Sequence, residues 1–566
     1  MQEFIQTIQA AIAEQTGLEL GAIKIESPRD PELGDLAFPC FPLARSLKLA
    51  PPKIAAELGP KLQAQLEGIE VTATGPYLNF KIQRELLAST ILGAISEKGA
   101  AYGGSEEGAG KTIVIDFSSP NIAKPFHVGH LRSTIIGAAI KRTHELLGYR
   151  TVGINHIGDW GSQFGKLVAA IERWGAEYDL ESEPIQSLLA LYVRFHEEVE
   201  SDPELAEQGR EAFRELESGR PGKVRETWKR LTTLSMAEFD RVYKRLGIEF
   251  DHIRGEAFYE DFLESAVERV EQSGVTELSD GALVVMLDEL EKNAPPCLLR
   301  KTDGTTLYAT RDLAAMFHRW DEFAFERCLY VVGSDQRLHF RQLKNVLKRM
   351  QLPWEEAVQH VDFGMLRLPG GKLSTRKGQV VFLEDLLDRA VAEARKIIAE
   401  KNPNLESADA IAESVGLGAV IFHDLKKERI KDVVFEWEEV LSFEGETGPY
   451  VQYTHARLAS IERKAASKDL GTQNPAYELL EDAAQLCLLL GRFPQVVESS
   501  ARSAEPSEIS RYVLELCREV NSWYAGHRVL GDDARLSSAR LSLVCAVKIV
   551  IANGLRLLGM DAPAEM

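Results

Sequence analysis

Two histidines three residues apart, His127 and His130, stand in the stretch SSPNIAKPFHVGHLRST (118–134), with Gly129 beside the second and Lys124 three residues before the first. An i, i+3 spacing puts both rings on one face of a helix. The preceding TIVIDF reads as a short buried strand. The following HVGHLRSTIIGAAIKRTHELLG reads as a helix stopped by Gly148. Such a pair suits a phosphate, a metal or no ligand at all. A metal needs a third protein ligand, and no Cys, His or carboxylate cluster with metal spacing lies nearby. A phosphate suits the N–H groups and partial positive charge of a helix start, where a glycine allows close approach. The rim of a parallel sheet, beyond the strands' carboxyl ends, is also where ligands collect.

Other residues could join that chemistry. In GGKLSTRKG (370–378) a glycine pair is flanked by Lys372, Arg376 and Lys377. It reads as a basic phosphate-facing loop or as a solvated turn. Asp116 ends the strand before the histidine helix. Tyr308 and Asp312 are an i, i+4 pair, so one helical face offers a phenol and a carboxylate. Asp116 is equally a strand-end turn residue, and Asp312 a helix-start carboxylate favoured by the dipole.

The elements that must position these groups follow from periodicity. Residues 109–403 alternate strands and helices, which predicts a doubly wound parallel sheet of Rossmann-like type. A charged helical stretch at about 181–290, with some strand near GALVVML, reads as one insertion between its halves. Residues 1–108 read as a separate α+β module, in which Phe4, Ile5, Ile8, Ala11 and Ile12 share a helical face, and YGGSEEGAGK (102–111) reads as the linker. From 404 to 566 nearly everything is amphipathic helix, which predicts an all-α bundle. The fold class expected is therefore α/β multidomain.

Composition excludes several classes. The chain has 566 residues, 45% hydrophobic and 27% charged, so a large core forms without metal or disulfide. Its six cysteines, Cys40, Cys297, Cys328, Cys487, Cys517 and Cys545, include no C-x-x-C spacing, as expected of reduced thiols in a cytoplasmic protein. The N-terminus lacks a basic region followed by an apolar one, and no membrane span is expected. The net charge of −20 argues against a general nucleic-acid coat and requires any such partner to meet a local basic surface.

HVGH resembles the H-I-G-H signature of class I aminoacyl-tRNA synthetases, and KLSTR stands where that family carries K-M-S-K-S. The blocks DFSSPNIAKPFHVGHLRST, INHIGDWGSQFG, YATRDLAA, YVVGSDQRLHF and FEGETGPYVQYTHAR resemble arginyl-tRNA synthetases in particular. The resemblance covers essentially the whole chain. It implies that L-arginine is activated with ATP and Mg²⁺ and passed to the 3′ end of tRNA(Arg), by a cytoplasmic monomer with no structural metal. It implies that His127 and His130 stabilise the α-phosphate and the departing pyrophosphate. Gly129 would lie in the ATP site, and Lys372, Ser374, Arg376 and Lys377 would clamp the outer phosphates. Asp116, Tyr308, Asp312 and Gln336 would bind the arginine side chain, and Ser119 and Asn121 its α-amino and carboxylate end.

The same resemblance makes the C-terminal bundle the reader of the anticodon and the N-terminal module a contact to the tRNA's outer corner. Aromatic and basic residues suit both, since rings stack on splayed bases and cations hold phosphates. The candidates are Tyr450, Arg457 and Trp523 in the bundle, and Tyr77 and Asn79 in the module; Trp523 and Tyr77 read equally well as core packing. An arginine substrate, charged and rich in donors, is distinguished without editing, so the insertion need not be an editing domain. One departure stands out: Thr375 occupies the place of the second signature lysine. Lys124 is the favoured substitute for that charge, with Arg376 and Lys377 the alternatives.

Overall fold

The computed structural model describes residues 1–28, 30–367, 381–434, 437–442 and 444–566. The N-terminal module comprises α1 (Gln2–Thr16), β1 (Leu36–Pro39), α2 (Phe41–Leu47), α3 (Pro51–Gln63), β2 (Ile69–Thr74), β3 (Tyr77–Ile82) and α4 (Arg84–Lys98). Its strands form an antiparallel sheet in the order β1-β3-β2. Phe4, Ile8, Ala11 and Ile12 of α1 are buried, as their spacing predicts. Each large apolar side chain so buried contributes about 1.5–3 kcal/mol.

The expected linker is less detached than its composition suggests. Tyr102 is buried and its hydroxyl donates to Leu490 O at 3.1 Å, while Asn553 Nδ2 donates to Gly99 O at 3.0 Å. Helix α4 packs against the C-terminal helices, so module and bundle share one core.

The central layer runs β4 (Thr112–Asp116), α5 (Val128–Leu146), β5 (Arg150–Asn155), α6 (Ser162–Trp174), α7 (Pro184–Glu198), α8 (Pro203–Glu217), α9 (Lys223–Arg245), β6 (His252–Ile253), α10 (Leu263–Gln272), β7 (Thr276–Ser279), β8 (Ala282–Val285), β9 (Cys297–Arg300), α11 (Tyr308–Phe323), β10 (Arg327–Tyr330), α12 (Arg337–Arg349), β11 (Val358–His360) and β12 (Leu366–Arg367). Five strands pair in parallel in the order β11-β10-β4-β5-β6. The strand order reverses between β4 and β10, where Asp116 lies opposite Tyr330. That crevice is the expected ligand position of a doubly wound sheet.

The single insertion expected at about 181–290 is in fact divided. The two-residue β6 belongs to the parallel sheet. It separates the helices α7–α9 from α10 and the antiparallel sheet β7-β8-β9. A strand of two residues is too short to show an apolar period, so the sequence hid it.

The remainder is α13 (Leu383–Lys401), α14 (Ala408–Leu425), β13 (Val433–Val434), α15 (Trp437–Val440), α16 (Gly448–Ala466), α17 (Ala484–Ser503), α18 (Ser507–Gly526) and α19 (Ala534–Leu558). Strand β13 pairs in parallel with β12, and α13 packs along α14. By length and composition α19 could cross a membrane, but 72% of its most apolar window is buried within the protein.

Candidate active site

The crevice is lined by the loop between β4 and α5. Three of its non-glycine residues, Ser118, Ser119 and Ala123, have left-handed φ of 74°, 50° and 59°. Such residues cost about 1–3 kcal/mol each and persist only where their surroundings over-determine them. Here Ser118 N–H donates to Ser133 Oγ at 2.9 Å, Ser119 N–H to Asn155 Oδ1 at 3.2 Å and Ala123 N–H to Ser235 Oγ at 2.8 Å. Ser118 Oγ and Tyr243 OH are 2.7 Å apart. Helix α9, read from sequence as part of an insertion, therefore supports the loop through Ser235 and Tyr243. Asn121 bridges to Gly158 beyond β5 and stays partly exposed on the rim.

His127 is the N-cap of α5. Its Nδ1 accepts from Gly129 N–H at 3.0 Å, while His127 N–H donates to His130 Nδ1 at 3.2 Å. The two rings cap one helix reciprocally, as Ser and Glu do in a capping box. Their centroids are 4.0 Å apart. Burial, reinforced by the Lys124 charge, lowers His127 to about 4. Burial also drives His130 well below the ordinary imidazole value. Both rings are neutral at physiological pH, and a neutral ring whose Nδ1 accepts carries its proton on Nε2. Each histidine thus offers one Nε2–H donor and no charge.

This changes the expected basis of anion binding. The Val128, Gly129 and His130 N–H groups are already given to Val381 O, His127 Nδ1 and His127 O. The donors left at this helix start are the imidazole Nε2–H groups rather than these backbone N–H groups. Gly129 has a second reason to be glycine, since a Cβ there would lie 2.7 Å from the His127 ring.

Lys372, Ser374, Thr375, Arg376 and Lys377 lie outside the described residues. The segments flanking that stretch do not. After it, Leu383 N–H donates to Phe126 O at 2.9 Å and Phe382 bridges to His127. Before it comes β12.

The acidic side of the crevice combines expected and unexpected groups. Asp116 is buried. Its Oδ2 lies 2.8 Å from Nη2 of the fully buried Arg319, and its Oδ1 accepts from Ser119 Oγ at 3.0 Å. The carboxylate is therefore no unencumbered fork for a guanidinium, because Oδ1 accepts from Ser119 and Oδ2 lies against the Arg319 charge. Tyr308 and Asp312 sit on the first turns of α11. Tyr308 is 66% exposed, and Asp312 Oδ2 is 2.5 Å from His339 Nε2. Gln336 is exposed in the turn after β10.

Two carboxylates that sequence reading missed complete the patch. Burial raises Glu256 to about 7; Arg311 opposes the shift, and the charges of Asp159, Asp312 and Glu260 add to it. Burial raises Asp159 to about 6 against a hydrogen bond from Ala257 N–H at 2.8 Å. The Glu256 charge in turn raises Tyr308. Crowded carboxylates that resist ionisation are poised to receive a cation. Glu256 follows the short β6 in a stretch without periodicity. Its only sequence signal was the acidic run GEAFYED. Among the described residues no group of three or more His, Cys, Asp or Glu side chains is arranged to hold a metal.

The residues expected to meet a polynucleotide divide by exposure. Arg457 is exposed, stacks over Tyr453 at 5.2 Å and donates to Asn521 Oδ1 at 3.2 Å. Tyr450 hydroxyl accepts from Asn521 Nδ2 at 3.0 Å. Tyr453, which is exposed, joins this surface. Tyr77 is half-buried with its ring edge-on to the exposed Phe41 at 5.9 Å. For Trp523 the core reading prevails, and for Asn79 the expectation is corrected. Trp523 is 6% exposed and stacked on His527, so its face is spent in the bundle; Asn79 is 2% exposed in the central strand of its sheet. Beside Trp523, a cavity of about 700 Å³ is lined by Lys464, Lys468, Tyr524, His527 and Arg528.

Comparison with known proteins agrees along the whole chain. The family described as "tRNA synthetases class I (R), catalytic domain" matches residues 91–437, "DALR anticodon binding domain" matches 451–566, and "Arginyl tRNA synthetase N terminal domain" matches 2–82. The arginine–tRNA ligase 1 of Bacillus thuringiensis subsp. konkukian is 48% identical over 543 residues, covering 96% of this chain and 95% of the relative. The arginine–tRNA ligase of Exiguobacterium sibiricum is 47% identical over 565 residues, covering 100% and 99%. The solved arginyl-tRNA synthetase of Thermus thermophilus superposes with a TM-score of 0.84 at 27% identity, with 100% of both chains covered. The reciprocal histidine cap at the switch point, the acidic crevice beside it and these similarities along its full length place the chain in the arginyl-tRNA synthetase family, among the class I aminoacyl-tRNA synthetases.

Proposed function

We propose that the arginine–tRNA ligase activity of this chain is carried by the crevice between β4 and β10, with the residues in the following roles. The observation that carries the reading is that the loop between β4 and α5 joins the neutral, Nε2-donating histidines to Asp116, at the edge of an acidic patch whose buried carboxyls hold their protons. Glu256, Asp312 and Tyr308 receive the guanidinium, whose planar donors match carboxylates. Asp116, already held by Arg319 and Ser119, shapes the floor and shares a lone pair. Gln336 joins them at the side chain, and Ser119 and Asn121 meet the α-amino and carboxylate end.

The arginine carboxylate then attacks the α-phosphorus of ATP, and the bond to pyrophosphate breaks. His127 and His130 donate from Nε2 to the oxygens that gain charge, which is stabilisation by preorganised dipoles. Lys124, close enough to depress both imidazoles, supplies the cation that Thr375 cannot. Lys372, Ser374, Arg376 and Lys377 are assigned to the outer phosphates. Mg²⁺ fits as a companion of the ATP phosphates rather than as a ligand of a protein cage. In the second step the terminal ribose hydroxyl of the tRNA attacks the arginyl carbonyl and AMP leaves.

The tRNA is read by the Tyr453–Arg457 surface and the basic cavity at Lys464 and Arg528, with Tyr77 of the N-terminal module touching its outer corner. The enzyme acts as a cytoplasmic monomer and activates arginine when tRNA is bound. Arginine-dependent ATP–pyrophosphate exchange, measured with and without tRNA, tests the reading. Exchange that depends on arginine and not on lysine is expected. Its absence under both conditions rejects the assignment.

A further inference from the structure

Arg132, one turn into α5 from the histidine pair, is 1% exposed and takes no part in the chemistry above. Its Nε lies 2.9 Å from Asp424 Oδ2 on α14 and donates to Oδ1 at 3.2 Å. Its Nη1 donates to two carbonyls, Gly364 O at 2.5 Å and Lys431 O at 2.9 Å. Gly364 precedes β12 and Lys431 precedes β13, the two strands that pair in parallel. They approach so closely here that a Cβ on Gly364 would meet the Lys431 carbonyl at 2.6 Å. One guanidinium thus joins the histidine helix, the strand leading towards GGKLSTRKG and the segment that splints that strand.

The splint is anchored in turn to the C-terminal bundle. Ser510 Oγ donates to Leu425 O at 2.9 Å and Arg429 N–H donates to Glu505 at 3.2 Å, while Arg429 also pairs at 2.9 Å with Asp362, ahead of β12. Stability alone does not account for the Arg132–Asp424 pair. Burial raises the Asp424 carboxyl, Arg132 Nη2 has no hydrogen-bond partner, and a buried ion pair is seldom more stable than apolar residues of similar volume.

We propose that Arg132 is a positioning residue for adenylate formation. It sets the His127–His130 helix in register with β12 and with the splint that the C-terminal bundle holds, and Asp424 neutralises it. The proposal rests on the assignment of those histidines to the ATP phosphates. Arg132→Leu/Asp424→Leu removes both charges together and avoids an unpaired buried ion. The pair is measured in the full-length enzyme with tRNA, by pyrophosphate exchange and thermal unfolding, beside Asp424→Asn and Arg132→Lys.

The expected result is a double variant that unfolds near the parent temperature, with kcat/KM for ATP lowered about 100-fold, as a displacement of about 1 Å produces, and KM for arginine within about twofold. Arg132→Lys, which keeps the charge, recovers part of the loss. ATP parameters within about twofold of the parent in the double variant overturn the proposal, whatever the melting temperature. Should the double variant not fold, Asp424→Asn decides on the same two readouts. His127→Asn serves as the control on the underlying assignment. If that variant leaves ATP kinetics untouched, the histidine reading fails, independently of Arg132.

Discussion

Asp116 and Arg319 face each other at 2.8 Å in the floor of the crevice, one at the end of β4 and the other on α11, both buried. The pair joins the two strands of the switch point through the helix between them, and Arg319 also lies over the Tyr330 ring at 5.0 Å. Replacing Arg319 with Met leaves Asp116 buried and unpaired, which costs about 3–5 kcal/mol. Urea unfolding measures it. A loss below about 1 kcal/mol, the value of an exposed pair, would show that the contact does not form in solution.

The reciprocal cap separates two functions of His127. Asparagine caps a helix as well as most residues do but brings no Nε2–H. His127→Asn should keep the melting temperature and lower kcat for exchange by about 100-fold, the usual cost of one transition-state donor. His127→Ala should lose the same activity and also about 1 kcal/mol of stability. Equal activity in His127→Asn and the parent would remove the imidazole from the chemistry.

The protonation of the pair gives a second test. His127 is pushed down to about 4, so between pH 6.5 and 4 the unfolded chain binds a proton that the folded chain refuses. The neutral cap's full contribution is present above pH 6.5 and is lost as pH falls towards 4. Imidazole NMR shifts should show His127 neutral at pH 5.5. A midpoint near 6.5 would contradict the buried cap.

Glu256 predicts a pH dependence of opposite origin. With its carboxyl raised to about 7, the empty site is partly protonated at neutral pH, and a bound guanidinium favours the ionised form. KM for arginine should rise as pH falls from 8 to 6. Glu256→Gln should raise KM at pH 8 and flatten the dependence. An unaltered slope in that variant would assign the titration elsewhere.

Exposure separates Trp523 from Tyr453, two of the bundle's aromatic residues. Trp523→Ala opens a cavity and should cost about 3–5 kcal/mol in unfolding experiments. Tyr453→Ala should leave stability unchanged within about 0.5 kcal/mol and raise KM for tRNA in aminoacylation. A tRNA KM unaffected by Tyr453→Ala would move the docking face away from α16.

What contiguous residues carry was legible without coordinates. HVGH at a strand-to-helix junction, the Tyr308–Asp312 spacing and the alternation of elements each depend on neighbours along the chain, where helical and strand periods leave their mark. The family came from the resemblance carried by the longer motif blocks, and the expected chemistry came with it. The sequence also exposed the gap at Thr375. What it could not decide was which side chains meet from distant elements and which faces are buried. Arg319 and Arg132 look like any solvated helical arginine until Asp116 and Asp424 are brought to them. Glu256 becomes a candidate ligand only where β6, too short to show a period, delivers it beside Asp312. The aromatic Trp523 read equally as core or surface, and the polar Asn79 as a surface contact, until packing covered them. The neutrality of the two histidines is tertiary as well: their spacing comes from the sequence, but the burial that removes their charge and the cap that leaves the proton on Nε2 exist only in the folded chain.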